Sequence, residues 1–227
     1  MVQGLCAHGL ARAFARTGAR VSAPEVGGWA MDPVSMRLEY FRLGTSYYVS
    51  GRFAHYANEV PVAGNLFHHA VEMLLKGCLV KAGVTEKERR ALSHDLGQSW
   101  LTFRNHVPDP QLDAFSDTIV ALDAFEDLRY PEVAAREHAK SGKKGGVLIG
   151  VGPGPHAPAI RADGKKVALY SADTDKIDAL VIALFKAGSC NPRAFLPLGQ
   201  IGENFLALHN AHAEPWGLRT LAQLPGG

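Results

Sequence analysis

The sequence lacks the features of a membrane-spanning or disulfide-stabilised protein. No run of apolar residues approaches the roughly 18 that a membrane-spanning helix needs, although 47% of the 227 residues are hydrophobic. The three cysteines, Cys6, Cys78 and Cys190, are an odd number without the paired spacing of a disulfide framework or a zinc site. These absences predict a cytoplasmic protein with reduced thiols and no contact with membranes.

The sequence also lacks a surplus of charge of either sign. Lysine and arginine number 24, and aspartate and glutamate number 22, which gives a net charge of +2 with neutral histidines. The excess lies near the start of the chain, where Arg12, Arg16 and Arg20 outnumber a single acid, Glu25. A general basic surface for duplex DNA is therefore not expected, and any contact with nucleic acid must be a local patch.

The apolar pattern predicts one domain of helices over residues 32–211. A tail at residues 1–31, rich in Gly, Ala and Arg and without an apolar period, is expected to be disordered, and residues 212–227 form a second tail. Helix starts are indicated at Asp32-Pro33, Pro61, Ser93, Asp109-Pro110 and Asp173 or Thr174, and helix ends at Gly83, Arg129 and Gly188. The predicted fold class is all-α, an up-and-down bundle of five to six helices.

Residues 139–172 interrupt the helical pattern. Two short apolar segments, Val147–Val151 and Lys166–Tyr170, lie on either side of a turn rich in Pro and Gly. Such a pattern is typical of a β-hairpin. We therefore expect a small hairpin insertion at the periphery of the bundle.

The second predicted helix has a narrow polar stripe on an otherwise apolar surface. At about 100° per residue, four side chains fall within about 60° of one another, with His68 just beside them: Asn65, His69, Glu72 and Lys76. Glu72 and Lys76 are four residues apart and can form an ion pair. The stripe is either a solvated seam held by that pair or a groove that binds a ligand, since two adjacent imidazoles exceed what a seam requires.

Arg129 is the second candidate for a functional site. On its predicted helix it lies on the side of Leu122 and Phe125, where an unpaired charge is costly. Its guanidinium is expected to pair with Glu72, Asp95 or a helix C-terminus. Alternatively, it binds a phosphate through two parallel hydrogen bonds.

Three polar segments in this order resemble the HEPN family, the higher-eukaryote and prokaryote nucleotide-binding helical bundles. They are Asn65–Gly77 (NLFHHAVEMLLKG), Ser93–Leu96 (SHDL) and Phe125–Pro131 (FEDLRYP). The resemblance covers roughly residues 36–131 and resumes at about 174–210. It implies an HEPN-like bundle that pairs as a two-fold dimer, and a role in binding RNA or nucleotides.

The resemblance also suggests catalytic residues. Arg89 and His94, with four residues between them, match the spacing of the Arg–His element of HEPN ribonucleases, in which the histidine transfers a proton and the arginine stabilises the phosphorane. Here the pair stands before the third helix, whereas those ribonucleases have it near the end of the bundle. His94 is alternatively a neutral first-turn residue of its helix.

These patterns favour binding of RNA or of a nucleotide phosphate by an HEPN-like helical domain, as a defence or toxin-type component. The alternatives are a metal-independent endoribonuclease and a non-catalytic dimeric interaction module. Neither a metal nor a cofactor is predicted. His69 and Glu72 resemble half of a di-metal site, but the sequence has no second Glu-x-x-His to complete it.

Overall fold

The computed structural model describes residues 31–130, 132, 136, 147–154, 168–196 and 199–218. The tail predicted at residues 1–31, apart from Met31, lies outside the described residues, as do most of the predicted insertion and residues 219–227.

Helices account for most of the described chain, as the sequence predicts. The α-helices with described bounds are α1 (Pro33–Tyr56), α2 (Val60–Lys81), α3 (Glu86–Ala91), α4 (Leu96–His106), α5 (Ser116–Ala124), α6 (Thr174–Ala187) and α7 (Gln200–Ala207). Turns of 3-10 helix occupy Pro110–Phe115, Phe125–Arg129, Pro192–Phe195 and Glu214–Trp216. None of the described helices is long and apolar enough to cross a bilayer.

Local capping interactions explain most of the helix boundaries. Asp32 accepts hydrogen bonds from the amides of Val34 and Ser35, which caps α1, and Gly83 takes a left-handed φ of 80° after α2, as predicted. The predicted cap of α4 is wrong by two residues. Asp95 caps this helix by accepting from Gln98 N, because Ser93 occupies a left-handed turn two residues earlier.

The apolar surface of α2 lies at the centre of the bundle. This helix contacts α1, α4, α5 and α6, and its side chains Phe67, Val71, Leu74, Leu75 and Leu79 are fully buried. Burial on nearly all sides explains why its sequence is so apolar.

Glycines allow α1 and α2 to approach each other closely. A Cβ atom on Gly44 would lie 2.8 Å from Leu74 Cγ, and one on Gly77 would lie 2.7 Å from Phe41 Cδ2. Since these contacts pair early residues of one helix with late residues of the other, the two helices run antiparallel.

The predicted β-hairpin is wrong in direction and in position. Strands β1 (Val147–Gly152) and β2 (Ala168–Asp173) pair in parallel, from Val147 opposite Ala168 to Gly152 opposite Asp173. The connection at 153–167 is long enough for the crossover of about a dozen residues that parallel strands require. β1 contacts α2 and β2 contacts α5, and Val151 and Tyr170 belong to the core, so the sheet is not peripheral.

A buried polar network, not predicted from the sequence, joins distant parts of the chain. Arg52 of α1 donates to Asp178 Oδ2 of α6 over 2.7 Å, and the Tyr48 hydroxyl donates to Asp178 Oδ1 over 2.6 Å. Asn210 Nδ2, beyond α7, donates to the Tyr48 hydroxyl over 3.1 Å. The side chains of Arg52 and Asp178 are almost completely buried, so the pair belongs to the core.

Candidate functional site

A buried carboxylate on α2 gathers three nitrogen-bearing side chains around it. Glu72 has a side-chain exposure of 0%, and Lys76 Nζ donates to its Oε1 over 2.6 Å. His69 Nδ1 lies 3.2 Å from Oε2, and His94 Nδ1 lies 3.2 Å from Oε1. We call His69, Glu72, Lys76 and His94 the Glu72 cluster.

Helical spacing and one turn build this cluster. His69, Glu72 and Lys76 are three and four residues apart on α2, so they lie on one face of the helix. His94 comes from the turn before α4, in which Ser93 has a φ of 49°. The Ser93 carbonyl accepts a hydrogen bond from Lys76 Nζ over 2.9 Å. This bond helps to hold a backbone conformation that is unfavourable for a non-glycine residue.

The electrostatics of the Glu72 cluster keep its central carboxylate ionised. Burial raises the pKa of Glu72, but hydrogen bonds from His69, Lys76 and His94 outweigh that effect and lower the pKa to about 2. An ionised carboxylate only accepts hydrogen bonds, so Nδ1 of each histidine is the donor. Nε2 of both rings is left for another partner.

Two imidazoles of the cluster are accessible to a ligand. His94 has a side-chain exposure of 56% and His69 of 20%. The two rings are 6.2 Å apart between centroids, and the ring of Tyr47 from α1 packs 5.5 Å from that of His69. The polar stripe is therefore neither a fully solvated seam nor a closed core network.

His68 lies beside the cluster on α2, and its ring reaches the backbone of α5. Its Nδ1 lies 3.1 Å from the carbonyl oxygen of Leu122 in α5, and its side chain is fully buried. Nε2 lies 3.7 Å from Glu126 Oε2, and neither atom has a hydrogen-bond partner among the described residues. Burial lowers the pKa of His68.

Arg129 pairs with an acid that the sequence did not indicate. Its Nη1 donates to Glu126 Oε1 over 2.6 Å, whereas Glu72, Asp95 or a helix C-terminus was expected. This hydrogen bond raises the pKa of Arg129, and the charge of Glu72 adds to the effect. Among the described residues, the ion pair of Arg129 is with Glu126 and not with the Glu72 cluster.

The other predicted residues have structural partners. Asn65 Nδ2 donates to the Pro61 carbonyl of its own helix over 3.1 Å. The buried Arg89 bonds to the Val84 carbonyl and, over 2.9 Å, to Met36 Sδ. No contact among the described residues joins Arg89 to His94.

Three contacts of the site were not predicted from the sequence: those of Glu126, Tyr47 and Leu122. Glu126 precedes Arg129 by three residues, and that spacing could have indicated the pair. The approach of Tyr47 to His69 and of Leu122 to His68 depends on the packing of separate helices, which no local pattern encodes.

Three residues of types that bind metals also meet at this site. One ligand atom each from His68, His69 and Glu72 lies within 4.8 Å of the other two. The sequence pattern indicates only His69 and Glu72 as metal ligands, because no second Glu-x-x-His accompanies them.

Comparison with known proteins identifies no relative of this chain. No family model matches it, and neither a curated protein nor a solved structure does. The function must therefore be argued from the site itself.

Proposed function

We propose that the Glu72 cluster and Arg129 bind a phosphate group of RNA or of a nucleotide. The observation that supports this most is the arrangement of three nitrogen-bearing side chains around one buried carboxylate, with two imidazoles open to solvent. The carboxylate fixes the rings in place before a ligand arrives, which reduces the entropic cost of binding.

The charge of the site fits a local phosphate contact. Glu72 and Glu126 offset Lys76 and Arg129, so the site offers oriented hydrogen-bond donors instead of a strong positive field. Such a site suits a single phosphate better than the backbone of a duplex, which is bound mainly through charge. The HEPN-like order of the three polar segments supports the same function, in a defence or toxin-type component.

A metal-independent endoribonuclease is the second candidate. The observation that favours it is that Glu72 holds Nδ1 of both His69 and His94, as a carboxylate orients a catalytic imidazole. In this reaction one ring takes the proton of the 2′-hydroxyl, which attacks the phosphorus. The other ring protonates the leaving 5′-oxygen. His69 replaces Arg89 in this version, because Arg89 has other partners.

The binding experiment uses the full chain, excess chelator and fluorescently labelled single-stranded RNA or nucleoside triphosphate. We expect His94→Ala and Arg129→Ala to weaken binding about tenfold or more, since each removes a hydrogen bond to a charged group. His106→Ala is the matched control, because His106 is an exposed histidine of α4 whose hydrogen-bond partner among the described residues is the Thr102 carbonyl. A control variant that binds as weakly as His94→Ala would contradict the assignment of the site.

The same samples distinguish the candidates. RNA cleavage in chelator that is lost in His94→Ala identifies the ribonuclease, whereas binding without products identifies the binding module. A protein that binds neither ligand but is a dimer by light scattering would contradict both and leave the interaction module.

A further inference from the structure

Beyond phosphate binding, we propose that His68, His69 and Glu72 form a binding site for a first-row transition-metal dication, beside the carboxylate of Glu126. The proposal does not depend on the phosphate site. It rests on the distances between the ligand atoms and on two buried acceptors that lack a donor.

The spacing of the three residues suits a small cation. Their ligand atoms lie within 4.8 Å of one another, and His69 Nδ1 is 3.2 Å from Glu72 Oε2. Two ligands on a tetrahedral ion with bonds of about 2 Å are separated by about 3.3 Å. The His69–Glu72 pair therefore already has the required separation, and His68 needs to approach by at most about 1.5 Å.

Unpaired buried atoms are the independent observation. The Leu122 carbonyl can only accept, so His68 Nδ1 carries the proton and Nε2 of the neutral ring carries a lone pair. That lone pair lies 3.7 Å from Glu126 Oε2, and both are buried without a partner. Two acceptors that face each other in the core are costly, and a cation between them removes the cost.

The contact with Leu122 also resembles the surroundings of known metal ligands. Histidines that bind metals commonly donate their other ring N–H to a backbone carbonyl, which fixes the tautomer. His68 makes this bond from a completely buried position.

The ligand types determine the class of metal. Imidazole nitrogens combined with carboxylates favour zinc and its neighbours over magnesium or calcium, which prefer oxygen ligands alone. Lys76 donates to Glu72 Oε1, and Oε2 lies beside His69 Nδ1 and His94 Nδ1. The metal therefore takes Oε2 and replaces the hydrogen bond from His69. Metal binding at His69 Nδ1 transfers the proton of that atom to Nε2 or to solvent.

The test is a titration of the chelator-treated full chain, after removal of the chelator and in phosphate-free buffer. We expect one equivalent of Zn²⁺ to bind in calorimetry and to raise the melting temperature. Co²⁺ should give the visible absorption of a site with fewer than six ligands. His69→Ala and Glu72→Gln should weaken Zn²⁺ binding at least tenfold, whereas His106→Ala should bind as wild type does.

Circular dichroism establishes that each variant folds, and His69→Ala is the primary variant because its side chain is partly exposed. The proposal is overturned if wild type binds no Zn²⁺, or if His69→Ala and Glu72→Gln bind it unchanged. Phosphate binding is measured in chelator, so failure of either proposal leaves the other intact.

Discussion

At the scale of single residues, Glu72 accepts hydrogen bonds from side chains of two chain segments, α2 and the turn before α4. A carboxylate buried without these donors would be protonated at neutral pH. Breaking a buried pair by removing one partner typically costs about 3–5 kcal/mol. Glu72 is therefore expected to contribute to the stability of the folded protein as well as to the geometry of the site.

The acid stability of the protein should reflect Glu72. Its pKa falls from 4.5 to about 2 on folding. The ionised carboxylate therefore contributes fully to the free energy of unfolding above pH 4.5, and this contribution is lost as the pH falls through 2. That contribution amounts to up to about 3 kcal/mol. In urea denaturation with chelator present, Glu72→Gln should show a shallower loss of unfolding free energy below pH 4.5 than wild type.

Glu86 supplies the matched control for this measurement. It is an exposed glutamate of α3 that pairs with Arg90 on the surface, where ion pairs contribute little. Glu86→Gln should therefore retain the pH dependence of wild type. If the unfolding free energy of Glu72→Gln falls with pH as steeply as that of wild type, the role assigned to Glu72 is contradicted.

At the scale of elements, the distances between helices depend on small residues at defined positions. Gly64 of α2 packs against the ring of Phe125, in the 3-10 turn that also contains Glu126 and Arg129. The close approach brings that turn to α2, and so it positions the acid that faces His68.

Gly64→Ala should destabilise the protein by about 1–3 kcal/mol. The added Cβ would lie 1.9 Å from Phe125 Cδ1, and the ring has to move. Gly97→Ala is the control, because its Cβ would lie 3.4 Å from its nearest neighbour, Asp95 Oδ1. Helix propensity predicts that Gly97→Ala is neutral or stabilising by up to about 1 kcal/mol. Chemical denaturation measures the free energy of unfolding of both variants. Similar free energies for Gly64→Ala and Gly97→Ala would argue against the tight contact at Gly64.

At the scale of the whole molecule, the Arg52–Asp178 pair connects the first described helix with α6, and Tyr48 and Asn210 extend the network to the segment after α7. The network therefore joins segments that precede the two β-strands in the sequence to segments that follow them. It contributes no group to the Glu72 cluster, and we expect it to stabilise the packing of the bundle.

Arg52→Ala should lower the unfolding free energy by about 3–5 kcal/mol, because it leaves Asp178 buried without its charged partner. Arg42→Ala is the control on the same helix. Arg42 pairs with Glu39 on the surface, and loss of an exposed pair costs about 1 kcal/mol or less. If the free energies of unfolding of the two variants differ by less than about 1 kcal/mol, the buried network does not have a stabilising role.

Most helix boundaries and the polar stripe of α2 follow from local features of the sequence. Caps such as Asp32 act through neighbouring amides, and residues three and four apart share one face of a helix. Both effects depend only on local spacing. The meeting of His69, Glu72 and Lys76 could therefore be predicted before the fold was known.

Contacts between groups from separate elements depend on the tertiary structure and could not be predicted from the sequence. The turn that brings His94 to Glu72, the approach of Leu122 and Glu126 to His68, and the parallel pairing of β1 and β2 all depend on contacts between distant segments. The spacing of Arg89 and His94 predicted a pair, but a buried guanidinium takes the acceptors that packing provides, here the Val84 carbonyl and Met36 Sδ. Local sequence patterns do not specify these distances, because the distances are set when the helices pack against one another.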